Sequence, residues 1–208
     1  GDFQAANQTI FSVPEIPDNQ EAGFPRRLET YFGIGINNNG NPGERLIDDG
    51  LQRFANTIRT KRPDVVIISE GSNDARDTAD PRTYFQTMQT MINIARASGT
   101  EPVLWTIPRA CCGHAFLVPS TAKYNNEVEA LGTINDVAVA DLAQAYFNSC
   151  QGADCFLLNR PEGLHPNTEG YDVIGEMLAG TLLKIDLLSP DGAGEPGNRG
   201  NLGLPKHG

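Results

Sequence analysis

Two short, uninterrupted apolar runs constrain this chain most: DVVIISE at 64–70 and PVLWTI at 102–107. Neither alternates polar with apolar residues, so neither suits a strand with one wet face. Each suits a strand covered on both faces, as in a parallel sheet between helices. The segment between them supplies such a cover. Asp80 is placed to cap a helix, Pro81 stands at its first position and Gly99 falls just past its end. Tyr84, Phe85, Met88, Met91, Ile92 and Ala95 share its apolar face.

The same alternation extends both ways. YFGIGIN (31–37) reads as a strand that ends in a turn-rich NNGNPG, and ERLIDDGLQRFANTIRT follows as a helix with Ile47, Leu51, Phe54 and Ile58 at helical spacing. Beyond the second apolar run come a cysteine-bearing loop, a helix near 120–131, a short strand DVAVAD (136–141) and a last helix over about 168–185. Tyr171, Ile174, Leu178, Leu182 and Ile185 line that helix's buried face. This βαβα order predicts a three-layer α/β/α sandwich around a parallel sheet. The organisation expected is one domain over 1–188. From Ser189 onward, 189–208, six glycines and three prolines with almost nothing to bury read as a flexible tail or linker, which would lead to a further module.

A formal charge of −10 and a pI near 4.7 weigh against nucleic acid and anionic membrane as partners. No apolar run approaches the roughly 20 residues a transmembrane helix needs. Of the four cysteines, Cys111, Cys112, Cys150 and Cys155, none sits in a pattern that supplies a zinc site. A Cys150–Cys155 clasp, or one bridge tying that loop to the Cys111–Cys112 pair, fits the spacing better. The even count points to a secreted or extracytoplasmic protein.

Three stretches fall where ligands sit in an open parallel sheet, beyond the carboxyl ends of strands. NNNGNPGE follows the 31–37 strand, EGSND follows the 64–70 strand, and EGLHPN precedes the last helix. Singly each has a plain reading: a Gly-rich turn, an Asn73–Asp74 helix cap, a structural histidine. Together, and in this order, they resemble the glycine, GxND and DGLHPN blocks of the SGNH hydrolases, the GDSL esterases and lipases. GFPRRLETYF and TAKYNNEVEAL also resemble segments of that family, and the likeness runs over roughly residues 24–186.

That resemblance implies an SGNH-type, flavodoxin-like sandwich and a division of roles. His165 is then the general base that takes a nucleophile's proton and returns it to the leaving alcohol. Glu162, where the family usually has Asp, orients the imidazole. The backbone N–H of Gly43 and the side-chain amide of Asn73 face the oxyanion of a tetrahedral intermediate. Asp74 and Asp141 are expected to be structural. No cofactor or metal is implied.

One block is missing. The family's first strand ends in Gly-Asp-Ser, whose serine is the nucleophile, and no such sequence occurs here. Either Gly1-Asp2-Phe3 is that block with Phe3 in the serine's place, or the chain begins just after it, with strand and serine upstream of Gly1. In both cases the first strand is apparently missing from the sheet. Ser12, at the end of the strand-like QTIFSV, lacks the glycine turn that exposes a nucleophile, and Ser72 reads as local structure in the GxND loop. The function expected is a serine esterase acting on acetylated carbohydrate, short-chain acyl ester or lipid, inactive if the nucleophile is truly absent. The alternative is a non-catalytic binding or interaction domain on the same fold.

Overall fold

The structure, a computed structural model, describes Thr9–Phe11, residues 23–151 and residues 154–185. Among the described residues, five parallel strands form one sheet in the order β2-β1-β3-β4-β5: β1 Thr9–Phe11, β2 Ile36–Asn38, β3 Val65–Ile68, β4 Glu101–Trp105 and β5 Ala138–Ala140. The α-helices among the described residues are α1 Phe24–Phe32, α2 Leu51–Lys61, α3 Ser72–Arg76, α4 Pro81–Ala97, α5 Val118–Asn135, α6 Leu142–Cys150 and α7 Thr168–Lys184. The three-layer α/β/α sandwich expected from the apolar runs is what forms.

β3 shows why an uninterrupted apolar run was required. Val65 and Ile67 enter one core with Phe24, Leu28, Val103 and Leu178, under α1 and α7. Val66 and Ile68 enter a second core with Phe54, Ile58, Met88 and Leu104, under α2, α4 and α5. Alternate side chains of a strand point to opposite faces, so a strand between two cores must be apolar at every position.

Four expectations need correction. The sheet does not lack a central member. Ile10 pairs with Asn37 of β2 on one side and with Val66 of β3 on the other, so the brief TIF run satisfies backbone groups on both neighbours. Tyr31 and Phe32 belong to the end of α1, and β2 starts only at Ile36, because Gly33 takes the left-handed helix-ending conformation at φ +67°. The helix after the glycine block opens with a π turn, Leu46–Gly50, and buries Leu46 completely. Finally, α6 was not anticipated, since its nine residues bury only Leu142 and Tyr146 and leave little periodic signal.

Other features behave as the residues suggest. The Asp80 carboxylate accepts from the Thr83 N–H at 3.2 Å, and Gly99 follows the end of α4 at φ +77°. Cys150 and Cys155 form a disulfide around a short loop, and Cys111 and Cys112 are free thiols. No helix among the described residues is long and apolar enough to cross a membrane. Phe3, Ser12 and the tail from Ser189 lie outside the described residues.

Candidate active site

The carboxyl ends of β2 and β3 feed two loops that are knitted to each other. Asn73, in the first turn of α3, donates from Nδ2 to the Glu44 carbonyl at 2.9 Å. Asp74 is fully buried, and its two carboxylate oxygens accept from the Leu46 and Ile47 N–H groups at 3.0 and 3.2 Å. It caps the start of the helix that opens at Leu46, 28 residues earlier in the chain, which fits the structural role expected of it. Burial raises its pKa, and the two backbone donors oppose that rise.

Gly71 starts the α3 turn at φ +114°, where a Cβ would meet the Tyr84 ring at 2.9 Å. The Tyr84 hydroxyl in turn donates to the Glu70 carbonyl at 3.1 Å. The loop that presents Asn73 is thus packed against α4 through a glycine that leaves room for the ring. Gly43 stands in the glycine block at φ +75°, exposed, with open space where a Cβ would be.

Beside Gly43, the Glu44 carboxylate binds Arg53 of α2, with the Arg53 Nε at 2.9 and 2.8 Å from its two oxygens. Arg53 also donates to the Asn39 carbonyl and lies 3.9 Å from the Glu70 carboxylate. Burial raises the Glu44 pKa, but the hydrogen bonds from Arg53 and Asn41 and the Arg53 charge outweigh it, and the net shift is downward. The arginine therefore fastens both ends of the NNGNPGE turn. Sequence reasoning did not single out Glu44 or Arg53. Nine residues apart across a turn and a helix, they carry no periodic signal.

The second half of the site is the loop 158–167. Leu158 and Pro166 form a bridge, the Asn159 N–H donates to the His165 carbonyl at 2.8 Å, and the Asn167 side chain caps α7 through the Gly170 N–H at 2.9 Å. The Glu162 carboxylate holds His165 twice. One oxygen contacts the ring at Nδ1, and the other accepts from the His165 backbone N–H at 3.3 Å. The extra methylene of glutamate therefore does not prevent contact at the three-residue spacing. With Nδ1 occupied, Nε2 is left for another partner.

This loop is tied to the segment after β4. Cys111 N–H donates to Gly163 O at 2.8 Å, Gly113 N–H to Pro161 O at 3.2 Å, and His114 Nδ1 lies 2.8 Å from Glu162 O. Gly163, at φ +76°, leaves no space for a side chain: a Cβ would sit 2.2 Å from the Cys111 carbonyl oxygen. The Tyr-Asn pair of TAKYNNEVEAL helps to fix the same edge. Asn125 accepts from the Ile107 N–H at 2.7 Å and donates to its carbonyl at 2.9 Å, while the Tyr124 hydroxyl donates to Ala79 O. Asp141 caps α6 through the Gln144 N–H and accepts from the Thr106 hydroxyl, as a structural residue would.

The structure thus joins Asn73 to the glycine block and Glu162 to His165, with both assemblies at the strands' carboxyl edge. An imidazole held at Nδ1 by a carboxylate is a group able to take up a proton at Nε2.

Known proteins share this fold. A family model for the GDSL-like lipase/acylhydrolase family matches residues 11–173. A lipolytic protein of the G-D-S-L family from Desulfitobacterium hafniense is similar in structure, with a TM-score of 0.73, 20% identity, and coverage of 84% of this chain and 99% of that one. The lipase/acylhydrolase from Enterococcus faecalis gives 0.74 at 21% identity over 90% of this chain and 100% of its own. The acetyl xylan esterase AlAXEase gives 0.71 at 21% identity over 83% and 98%. No curated protein matches the chain. With the family match spanning residues 11–173, most of the sequence, the chain belongs to the GDSL-like lipase/acylhydrolase family.

Proposed function

We propose that this protein is a serine esterase that hydrolyses O-acyl esters through an acyl-enzyme. His165 is the general base, Glu162 its orienting carboxylate, and Gly43 N–H and the Asn73 amide the oxyanion donors. The observation that carries the reading is the double contact of Glu162 with His165. It fixes the ring by Nδ1 and leaves Nε2 to take a hydroxyl proton. A serine attacks the acyl carbon as its proton passes to His165. The tetrahedral oxyanion collapses as His165 returns that proton to the leaving alcohol, and water repeats the cycle on the acyl-enzyme.

Ser12 is the residue that follows β1 in the chain, and β1 lies between the strands that bear the other site loops. It is the candidate nucleophile. A cavity of about 310 Å³ beside Gly43 is lined by Asn41, Glu44, Arg45, Asp48 and Asp77 among others, and not by Asn73, Glu162 or His165. An acylated carbohydrate is the substrate class this reading favours, since a structural neighbour is an acetyl xylan esterase. The disulfide fits an extracytoplasmic location.

The test is hydrolysis of an aryl acetate and of acetylated xylan by the full gene product, with His165→Ala beside it. The esterase reading expects loss of turnover by orders of magnitude in that variant. A wild-type protein that binds acetylated sugar without hydrolysing any ester would instead be a binding domain on this fold.

A further inference from the structure

We propose that Cys111 and Cys112 are a redox modification site, a dithiol that closes to a vicinal disulfide by exchange with a small-molecule disulfide and thereby moves the loop carrying Glu162 and His165. Three observations carry it. The two sulfurs lie 2.7 Å apart, well inside ordinary non-bonded separation and near the ~2.05 Å of a bond. Cys112 is half-buried and accessible to a reagent, whereas Cys111 is buried behind it, the arrangement of an attacking and a resolving thiol. The backbone of this pair is also the support of the candidate site: Cys111 N–H binds Gly163 O, Gly113 N–H binds Pro161 O, and His114 Nδ1 meets Glu162 O. Gly163 is packed so closely against the Cys111 carbonyl that a methyl group would not fit between them. Closing a ring between adjacent cysteines changes the torsions of their shared peptide, and the 161–163 segment must follow.

The chemistry balances with one reagent. Cys112 sulfur attacks one sulfur of glutathione disulfide and expels a glutathione thiolate. Cys111 sulfur then attacks Cys112 Sγ and expels the second. Two protein S–H bonds are lost, one S–S bond forms, and one glutathione disulfide becomes two glutathione thiols. The Cys111 thiol, burial and the nearby Asp154 carboxylate push the Cys112 thiol up to about 11, against the pull of Arg160. Closure is therefore slow at neutral pH and quickens as pH rises.

The site does not depend on the esterase reading, and its test does not use activity. The folded protein is incubated with glutathione disulfide at alkaline pH, where the Cys112 thiolate is populated, then quenched with acid and mapped without reduction. The expected product is a peptide carrying Cys111 and Cys112, lighter by two hydrogens, with no glutathione attached and Cys150–Cys155 intact. Cys111→Ser should stop at one glutathione held on Cys112. Histidine ring NMR signals of His114 and His165, assigned by His114→Gln and His165→Gln, should shift on closure and stay fixed under the same treatment in the Cys111→Ser/Cys112→Ser variant. Unreacted thiols, or glutathione retained on Cys112 of the wild-type chain, would overturn the proposal. A closed disulfide that leaves both histidine signals in place would overturn the link to the loop.

Discussion

At the residue scale, Glu162 and Asn73 carry the chemical predictions. Glu162 fixes His165 through both its ring and its backbone N–H. Glu162→Gln keeps the size but removes the charge that stabilises an imidazolium, so kcat should fall with KM little changed, which steady-state kinetics on an aryl acetate would show. On the proposed role of Asn73, Asn73→Ala removes one oxyanion donor and should cost about 3 kcal/mol of transition-state stabilisation, roughly a hundredfold in kcat. Both residues stand out in the sequence because they lie in short motifs, EGLHPN and EGSND, and the structure adds their contacts with His165 and Glu44. Asp74 was legible only as structural. What it does, capping a helix that begins 28 residues earlier, exists only after folding. Asp74→Ala would leave the buried Leu46 and Ile47 region without its acceptor and should destabilise the protein by about 1–3 kcal/mol in chemical denaturation.

At the element scale, the apolar runs placed β3 and β4 to within a few residues, because a strand between two cores has no polar position to blur the pattern. The boundary between α1 and β2 was misread since Tyr31 and Phe32 have strand-like composition, while Gly33 decides where the helix stops. β1 was undervalued for a related reason: three residues, TIF, are too few to show a period, and pairing on both sides is what makes them a strand. The loop 158–167 is the element on which the site most depends. Gly163→Ala would force a side chain onto the Cys111 carbonyl at a positive φ. It should lower the melting temperature and reduce activity together, whereas Ala substitution at the open Gly180 should do neither.

At the scale of the whole molecule, the site depends on long-range ties that no local pattern records, and Arg53 is the clearest. It joins α2 to Glu44, to the Asn39 carbonyl and to the vicinity of Glu70. Glu44 has its pKa lowered in the fold, so its pairing stabilises the protein above the ordinary glutamate range. That stability is lost as pH falls through the depressed folded value. The denaturation midpoint of the wild type should therefore drop on acidification more steeply than that of Glu44→Gln. A parallel fall in both would remove Glu44 from the acid response.

The central claim is that this fold holds a base poised for a serine, and fluorophosphonate labelling of the full gene product tests it most directly. The account predicts a covalent adduct on one serine, mapped by peptide mass, with labelling slowed by orders of magnitude in His165→Ala. A folded wild-type protein that gains no serine adduct and hydrolyses no aryl acetate would contradict it.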